Sequence, residues 1–351
     1  MITFFPGPSQ VFQAIPAYLH EACTEGILSI SHRSEAFNNM SEETLLLLRT
    51  HLQVPDDYTI LYTTSATECW EIIAQSLTQK GSTHFYSGSF GEKWMQYAQA
   101  LLPASKGFSF SADNELDLGS LHADPDTDII CFTQNETSNG SQIRPALFAD
   151  IRQKFQDRLI AVDVTSSING IALPIAEADI WLGSVQKCFG MPAGLGLMIL
   201  SPRAVDRAQL IGDRNRYNSV LIMLDHIAKF QTSHTPNVLG IFLLNRVLSD
   251  SMTLDETDRL LKERAVMYYD AVDRSNVMEA LVQNAATRSD TVITVKVNPE
   301  LLPELKNKAK DLGMLLGAGY GTWKPSTFRI ANFPALSDAD VEKMLAFLRS
   351  I

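Results

Sequence analysis

A lysine surrounded by small and apolar residues is the first candidate for chemistry in this sequence. Lys187 lies in the stretch GSVQKCFGMPAGLG (183–196), directly after the apolar run ADIWLGS (178–184). A surface lysine can lay its aliphatic stem on apolar groups while its ammonium reaches water. An amine whose pKa is lowered by its surroundings can instead form a Schiff base with a carbonyl compound. Lys187 alone does not decide between these two interpretations.

Two further segments could serve a cofactor that carries a ring nitrogen and a phosphate. Asp163 ends the apolar run LIAVD, where its carboxylate either caps the next segment or points into a cleft. In TTSATECWEII (63–73) a strand pattern leads into a helix pattern. The backbone N–H groups at the start of that helix, with the hydroxyls of Ser65 and Thr67, can hold an anion. Alternatively, Ser65 or Thr67 simply caps the helix. A reactive lysine, an acid for a ring nitrogen and a phosphate site together predict pyridoxal 5′-phosphate.

Apolar runs and amphipathic helical patterns alternate between residues 59 and 200. Runs that are apolar throughout indicate strands buried on both faces, so we expect an α/β large domain with a mostly parallel sheet covered by helices on both faces. Ligands bind beyond the carboxyl ends of such strands, where Lys187 and Asp163 lie. We assign the large domain to 15–245 and a smaller α+β C-terminal domain to 246–351, with residues 1–14 packed on the smaller domain.

Composition excludes several classes of protein. The formal net charge of −11 argues against nucleic acid or an anionic membrane as partner. The four cysteines show neither CxxC nor metal-ligand spacing, which predicts reduced thiols and no metal site. The first residues have no basic segment, and no apolar run reaches membrane-spanning length. We therefore expect a cytoplasmic protein that acts on small molecules.

Motifs of competing α/β enzymes are missing. GAGYG (317–321) lies late in the chain and outside a strand–helix–strand unit, so it does not predict a dinucleotide site. SGSFG (87–91) does not match the GxSxG of serine hydrolases, and no phosphate-binding GxxxxGK[ST] is present.

Eight segments, in order along the chain, resemble the class V (fold type I) pyridoxal-phosphate aminotransferases, and within them the phosphoserine aminotransferases. They are FFPGPSQV (4–11), SHRSEAF (31–37), TSATE (64–68), TQNETSNG (133–140), VDVTSS (162–167), SVQKCFGMPAGLGLMI (184–199), HTPNVLGI (234–241) and FRIANFPA (328–335). The resemblance covers nearly the full length. It implies the fold of these enzymes and a homodimer with shared active sites.

The resemblance also implies roles for individual residues. Lys187 would form the Schiff base and serve as general acid and base, and Asp163 would keep the pyridine nitrogen protonated. The implied cofactor contacts are the phosphate turn of Ser65, Ala66 and Thr67, the stacking ring of Phe90, the ring-hydroxyl partner Thr137, the phosphate ligand Gln186 and, from the other subunit, His234 and Thr235. The implied substrate ligands are Arg329 for the α-carboxylate, and His32 and Arg33 for the side-chain anion.

Three of these assignments also have plain structural alternatives. Phe90 could be a core residue, Arg329 could form a surface ion pair, and SHR (31–33) could be a polar turn before a helix.

The chain departs from the phosphoserine enzymes at several positions. Those enzymes carry a tryptophan where this chain has Phe90 and an asparagine where it has His234. They also place a His-Arg pair a few residues before the carboxylate-binding arginine, where this chain has Thr322 and Trp323, followed by Lys324.

We therefore expect an aminotransferase that moves an amino group between phosphoserine/3-phosphohydroxypyruvate and glutamate/2-oxoglutarate, as in serine biosynthesis. The alternative is serine–pyruvate or alanine–glyoxylate exchange, because GYGTWKPSTFRI (319–330) resembles the loop of those relatives. A pyridoxal-phosphate-binding protein without turnover is the candidate from a different class.

Overall fold

The computed structural model describes residues 1–351, which form strands and helices in regular alternation. The strands are β1 (Ile2–Phe4), β2 (Thr59–Thr63), β3 (Ser82–Tyr86), β4 (Lys106–Ser109), β5 (Ile129–Thr133), β6 (Asn135–Glu136), β7 (Ser141–Gln142), β8 (Leu159–Asp163), β9 (Ile180–Ser184), β10 (Gly196–Leu200), β11 (Met278–Ala280), β12 (Val292–Val297), β13 (Met314–Ala318) and β14 (Thr327–Ala331). The α-helices are α1 (Ile15–Thr24), α2 (Glu35–His51), α3 (Ala66–Ser76), α4 (Ser89–Leu101), α5 (Leu147–Lys154), α6 (Pro202–Ile211), α7 (Val220–Ile227), α8 (Val238–Asp250), α9 (Leu254–Asp273), α10 (Leu302–Asp311) and α11 (Asp338–Arg349). None of the helices is both long and apolar enough to span a membrane.

A seven-stranded sheet forms the centre of the large domain, in the order β2-β10-β9-β8-β5-β3-β4. Every residue of β5, β8, β9 and β10 is buried, as the continuous apolar runs predict. Strand β10 is antiparallel to both of its neighbours, and the remaining pairs are parallel. The connection from β9 to β10 (185–195) contains no helix, and a parallel pairing would need a longer crossover.

Helices cover both faces of this sheet. On one face the core includes Phe37 of α2 and Ile241 of α8, which pack with the sheet residues Phe132 and Trp181. On the other face α3 and α6 pack on the opposite side chains of the same strands, in a second cluster. The predicted α/β fold class is confirmed.

A five-stranded mixed sheet, in the order β1-β13-β14-β12-β11, forms the smaller domain together with α9, α10 and α11. Strand β1 pairs in parallel with β13, with Ile2 opposite Met314. The residues that follow β1 bind the large domain instead: Ser9 N–H donates to Gln186 O (3.1 Å) and Phe12 N–H to Gly190 O (2.9 Å). The first residues therefore connect the smaller sheet to the lysine segment.

The structure places the change from one core to the other after α8. Val247 and Leu248 near the end of α8 belong to the core of the large domain. A capping box of Thr253 and Glu256 then begins α9, whose buried face packs in the smaller core. The sequence pattern places the boundary at residue 245, which lies inside α8. An amphipathic pattern predicts a helix but does not identify the core on which its apolar face packs.

Candidate active site

A cavity of about 340 Å³ opens at the carboxyl ends of the strands of the large sheet, between the two domains. Its lining includes nine residues that the sequence singles out, namely Ser65, Ala66, Thr67, Phe90, Thr137, Asp163, Gln186, Lys187 and Arg329. The first eight lie at the ends of strands, in the turns after them or in the first turns of helices of the large domain, and Arg329 comes from β14 of the smaller domain. Parallel strands bring their carboxyl ends to one edge of the sheet, which is why segments so far apart in sequence meet here.

Lys187 lies in the loop after β9, and its side chain is buried, with 7% of the residue exposed. Nζ donates to Thr137 Oγ1 (2.8 Å) and lies 5.5 Å from the centre of the Phe90 ring. Burial lowers the pKa of Lys187 to about 8, although the nearby carboxylate of Asp163 opposes that shift. The interpretation of Lys187 as a surface lysine whose ammonium reaches water is therefore wrong.

The backbone of Gly7 closes one side of the lysine pocket. A Cβ atom at this position would lie only 3.1 Å from Lys187 Cε, and φ of Gly7 is positive (154°). A larger residue at position 7 would therefore push against the amine-bearing stem as well as adopt an unfavourable backbone conformation.

Asp163 is the last residue of β8 and is the one carboxylate that lines the cavity. Oδ1 accepts the Thr165 backbone N–H (2.9 Å), and Oδ2 accepts Nε1–H of Trp70 (2.9 Å). Burial raises the pKa of Asp163, and the hydrogen bonds from Thr165 and Trp70 and the charge of Lys187 oppose the shift. Asp163 thus holds the following turn, as its capping interpretation predicts, and also faces the cavity.

Trp70→Phe and Trp94→Phe are both expected to lower the free energy of unfolding, and the loss should be about 2 kcal/mol larger for Trp70→Phe. Only Trp70→Phe leaves a buried carboxylate oxygen, Oδ2 of Asp163, without its donor. Trp94 stacks on Trp70 with 6.1 Å between ring centroids, and its indole N–H donates no hydrogen bond within the protein. Urea unfolding of the two variants isolates the hydrogen bond from the loss of ring volume. Equal losses in both variants would contradict the assignment.

The N-terminus of α3 offers an anion site. Ser65 Oγ accepts the Glu68 N–H (3.1 Å) and Ser184 Oγ accepts the Ala66 N–H (2.8 Å), whereas the Thr67 N–H has no acceptor in the protein. The Glu68 carboxylate accepts from Thr64 N–H (2.7 Å) and does not fill the site. Ser65 therefore caps the helix while the positive end of α3 stays available to an anionic group.

Two buried hydroxyls around the cavity lack hydrogen-bond partners. Oγ1 of Thr133, at the end of β5, and Oγ1 of Thr165, after β8, find neither donor nor acceptor in the protein. Buried polar groups in native structures are nearly always paired. These two hydroxyls therefore indicate that a polar ligand completes the cavity.

Arg329 is buried without an acidic partner. Its Nε donates to Ala318 O (2.7 Å) and Nη1 to Thr137 O (2.8 Å), and Nη2 makes no bond within the protein. Burial lowers the pKa of Arg329 to about 10, and the face of the Tyr320 ring lies 5.5 Å from its guanidinium carbon. The alternative of a surface ion pair is wrong. The guanidinium is held by carbonyl groups and can still bind a carboxylate.

Phe90 lines the cavity and is only partly buried, so it is not a core residue. Its ring lies 5.0 Å from that of Tyr320, which the smaller domain contributes. Both aromatic rings line the cavity, and a planar ligand can stack on Phe90.

The structure does not bring four predicted residues to this cavity. His32, Arg33, His234 and Thr235 are absent from its lining. Arg33 Nη1 instead donates to Gln231 Oε1 (2.7 Å), and the His234 ring packs on another aromatic side chain of the same chain. The roles of all four residues stay predictions, and those of His234 and Thr235 require a second subunit.

Thr322, Trp323 and Lys324 also lie outside the cavity lining, and Tyr320 of the same loop takes the place inside it. Sequence patterns did not single out Tyr320, Trp70 or Glu136. Tyr320 lies in the glycine-rich segment GAGYG and Glu136 in TQNETSNG, so both belong to segments with a recognisable pattern. Trp70 lies on the buried face of α3 and has the pattern of an ordinary core residue.

The chain is similar to known proteins over nearly its whole length. The family model for aminotransferase class-V matches residues 6–330, a range that includes every residue of the cavity lining. The phosphoserine aminotransferase of Rhodococcus opacus (strain B4) is 28% identical over 357 residues, which cover 96% of this chain and 91% of that protein.

Two solved structures extend the comparison. The crystal structure of a phosphoserine aminotransferase SerC from Cytophaga hutchinsonii superposes with a TM-score of 0.95 at 33% identity, over 99% of this chain and 98% of that one. The PLP-bound phosphoserine aminotransferase of Trichomonas vaginalis has a TM-score of 0.79 at 18% identity, over 99% of both chains. The second likeness shows the fold alone.

Proposed function

This chain belongs to the class V aminotransferase family. We propose that it transfers an amino group between phosphoserine/3-phosphohydroxypyruvate and glutamate/2-oxoglutarate, with pyridoxal 5′-phosphate as cofactor. This is a reaction of serine biosynthesis. The observation that carries the proposal is the buried Lys187 amine in one cavity with Asp163 and an Arg329 that lacks an acidic partner. The Rhodococcus and Cytophaga proteins support the choice of substrate, since both bear the name of phosphoserine aminotransferase.

Pyridoxal 5′-phosphate fits the polar groups around the cavity. The N-terminus of α3, with Thr67 N–H free, suits its phosphate, and Asp163 suits its ring nitrogen. The unpaired hydroxyls of Thr133 and Thr165 leave donors and acceptors for further contacts. When bound, the cofactor supplies an electron sink for negative charge on the substrate Cα.

The residues of the chain then divide the remaining work. Lys187 serves as covalent tether and, once free, moves a proton at the substrate Cα. Arg329 binds the α-carboxylate through its free Nη2, and Asp163 keeps a proton on the ring nitrogen. Thr137 connects two of these groups, because its hydroxyl accepts from Lys187 Nζ and its carbonyl from Arg329 Nη1. The proton-transfer amine is thereby set at a defined place relative to the carboxylate site.

The proposal includes a cytoplasmic homodimer with shared active sites. It rests on the resemblance, which assigns His234 and Thr235 to the site of a second subunit, and neither residue lines the cavity of its own chain. The four cysteines are unpaired, as in proteins of a reducing compartment.

One observation favours a second candidate, serine–pyruvate or alanine–glyoxylate exchange. The lysine and arginine residues that line the cavity are Lys93, Lys187 and Arg329, and two of them already have roles at the α-carbon. A side-chain phosphate would therefore depend on Lys93 or on residues from a second subunit, whereas an uncharged side chain would need neither.

An absorption titration of the purified protein with pyridoxal 5′-phosphate tests the proposal. We expect a yellow band that added phosphoserine bleaches. Glutamate, as amino donor, should bleach the band in the same way, and 3-phosphohydroxypyruvate added afterwards should be converted to phosphoserine. Alanine is run in parallel.

Bleaching by alanine and not by phosphoserine would favour the second candidate. A band that no amino acid bleaches would favour a protein that binds the cofactor without turnover, and no band at all would refute the role of Lys187.

A further inference from the structure

The first turn of α4 is capped by a carboxylate from a different part of the chain. The helix follows Gly88, which has no side chain to cap it. Glu136 of β6 fills the position instead: its Oε2 accepts the backbone N–H groups of Phe90 (3.1 Å) and Gly91 (3.1 Å). Ser138 Oγ accepts the Ser89 N–H (3.0 Å) and donates to Glu136 Oε1 (2.6 Å). The first three amide groups of α4 are thus all satisfied by the β6–β7 hairpin.

Glu136 is a buried charge whose surroundings suit the ionised form. It is 1% exposed, and each of its hydrogen-bond partners is a donor, since the Ser138 N–H also donates to Oε1 (3.0 Å). Burial raises the pKa of Glu136, and the bonds from Ser138, Gly91 and Phe90 oppose that shift. The positive end of α4 adds to the stabilisation of the carboxylate.

The sequence makes room for this contact at Gly88. A Cβ atom at position 88 would lie 2.5 Å from Glu136 Cγ and 2.7 Å from Ser138 Oγ, closer than real Cβ atoms approach other heavy atoms. The absence of a side chain at the helix cap and the presence of a buried carboxylate opposite it therefore belong to one arrangement.

The same hairpin holds several groups of the cavity. Glu136 binds the backbone of Phe90, whose ring lies 5.5 Å from Lys187 Nζ. The next residue, Thr137, binds Lys187 Nζ through its hydroxyl and Arg329 through its carbonyl. The position of the Phe90 ring relative to the reactive amine thus depends on two adjacent residues of β6 and the turn after it.

Two helix N-termini begin at this edge of the sheet, and they differ. That of α4 is occupied by Glu136, whereas that of α3 retains a free N–H at Thr67. An anion near the start of α4 would meet the Glu136 carboxylate and find no free amide in its first three residues. The arrangement leaves α3 as the anion site of the pair.

We infer that Glu136 is a positioning residue for the cofactor: through the Phe90 and Gly91 N–H groups it holds the Phe90 ring at the face of the pyridine ring, and by filling the N-terminus of α4 it directs the phosphate group to α3. The inference rests on the proposed function, because it concerns the binding of pyridoxal 5′-phosphate.

The test measures binding of 4-deoxypyridoxine 5′-phosphate, which keeps the ring and the phosphate but has no carbonyl to react with Lys187. Equilibrium dialysis against the cofactor-free protein gives the affinity. We expect Glu136→Gln to weaken binding about tenfold, since the amide cannot accept all of these bonds and carries no charge. Phe90→Leu should weaken binding by a similar factor. The double variant should lose less affinity than the product of the two single factors, because Glu136 acts in part through Phe90.

Glu256→Gln is the matched control. Glu256 also caps a helix, accepting the Thr253 N–H (3.0 Å) at the start of α9, and it does not line the cavity. We expect this variant to bind the analogue like the wild type. Thermal unfolding of each variant shows whether it is folded.

Ser138→Ala gives a milder form of the test if Glu136→Gln does not fold, since it removes the hydroxyl between Ser89 and Glu136 without changing charge. We expect binding about threefold weaker. If Glu136→Gln folds and binds the analogue with wild-type affinity, the inference is overturned and the proposed function is left intact. If only Ser138→Ala folds, wild-type affinity in Ser138→Ala has the same meaning. Factors that multiply in the double variant overturn the action through Phe90. A wild-type protein that does not bind the analogue overturns the proposed function itself.

Discussion

Lys187→Ala is expected to lower the rate of amino transfer about 10⁴-fold, because the variant loses both the covalent tether and the group that moves the proton at the substrate Cα. The other lysine of the cavity lining, Lys93, is exposed on α4 and lies toward the Tyr97 ring, so it does not replace the buried amine. Single-turnover measurements with phosphoserine report the loss directly, since they are independent of the second half of the reaction.

Small primary amines added to the Lys187→Ala variant should restore part of the rate, with a pH dependence set by the pKa of the added amine. In the wild-type protein burial lowers the pKa of Lys187 to about 8, so the unprotonated amine becomes more abundant as pH rises through 8. Uptake of the cofactor by the cofactor-free protein should accordingly become faster between pH 7 and pH 9. A Lys187→Ala variant with the wild-type rate would show that another group moves the proton.

Asp163→Asn is expected to lower kcat about 10²- to 10³-fold with little change in KM, a loss of the size seen when one preorganised electrostatic group is removed. Asp163 is the one carboxylate in the cavity lining, so no neighbour can keep the ring nitrogen protonated in its place. Because the Asn side chain is neutral, the electron sink on which charge at Cα depends is weakened. Steady-state kinetics with phosphoserine and glutamate check the prediction.

Asp179→Asn is the matched control for Asp163→Asn. Asp179 is also buried, but it precedes β9 at the opposite end of the sheet, where it pairs with Arg152 (2.5 Å). Its replacement should lower the free energy of unfolding, because a buried ion pair loses one partner, and should leave kcat near the wild-type value. A similar loss of kcat in both variants would mean that the effect of Asp163→Asn comes from the fold rather than from the ring nitrogen.

The strand ends of the large domain could be predicted because two independent regularities coincide there. Strands buried on both faces read as continuous apolar runs, and the polar residues that follow them mark one edge of a parallel sheet. Lys187, Asp163 and the Ser65 turn were identified in this way, and the structure brings them to one cavity. The antiparallel direction of β10 was not predicted, since a buried strand has the same pattern in either direction.

Contacts between segments far apart in sequence could not be predicted from the sequence patterns. Trp70 binds Asp163 across 93 positions, and local spacing shows Trp70 only as an apolar residue on a helix. The role of Glu136 depends on Gly88, which lies in a different motif, and a lone glycine before a helix indicates nothing about a carboxylate elsewhere. Tyr320 enters the cavity only when the smaller domain packs on the large one. The roles predicted for His234 and Thr235 require a second chain, so the fold of one chain does not test them.

The pairing of β1 with β13 has a consequence for the order of events during synthesis on the ribosome. Ile2 of β1 pairs with Met314 of β13, so β1 cannot join its sheet before β13 has been made. Residues 6–8, which line the cavity beside Lys187, follow shortly after β1. Closing a loop of this length is slow compared with forming local contacts. A nascent chain that already contains the whole large domain therefore still lacks the β1–β13 pair, and it also lacks Tyr320 and Arg329 of the cavity lining. The cavity around Lys187 is complete only when the last part of the smaller domain has been made, because β14 supplies Arg329.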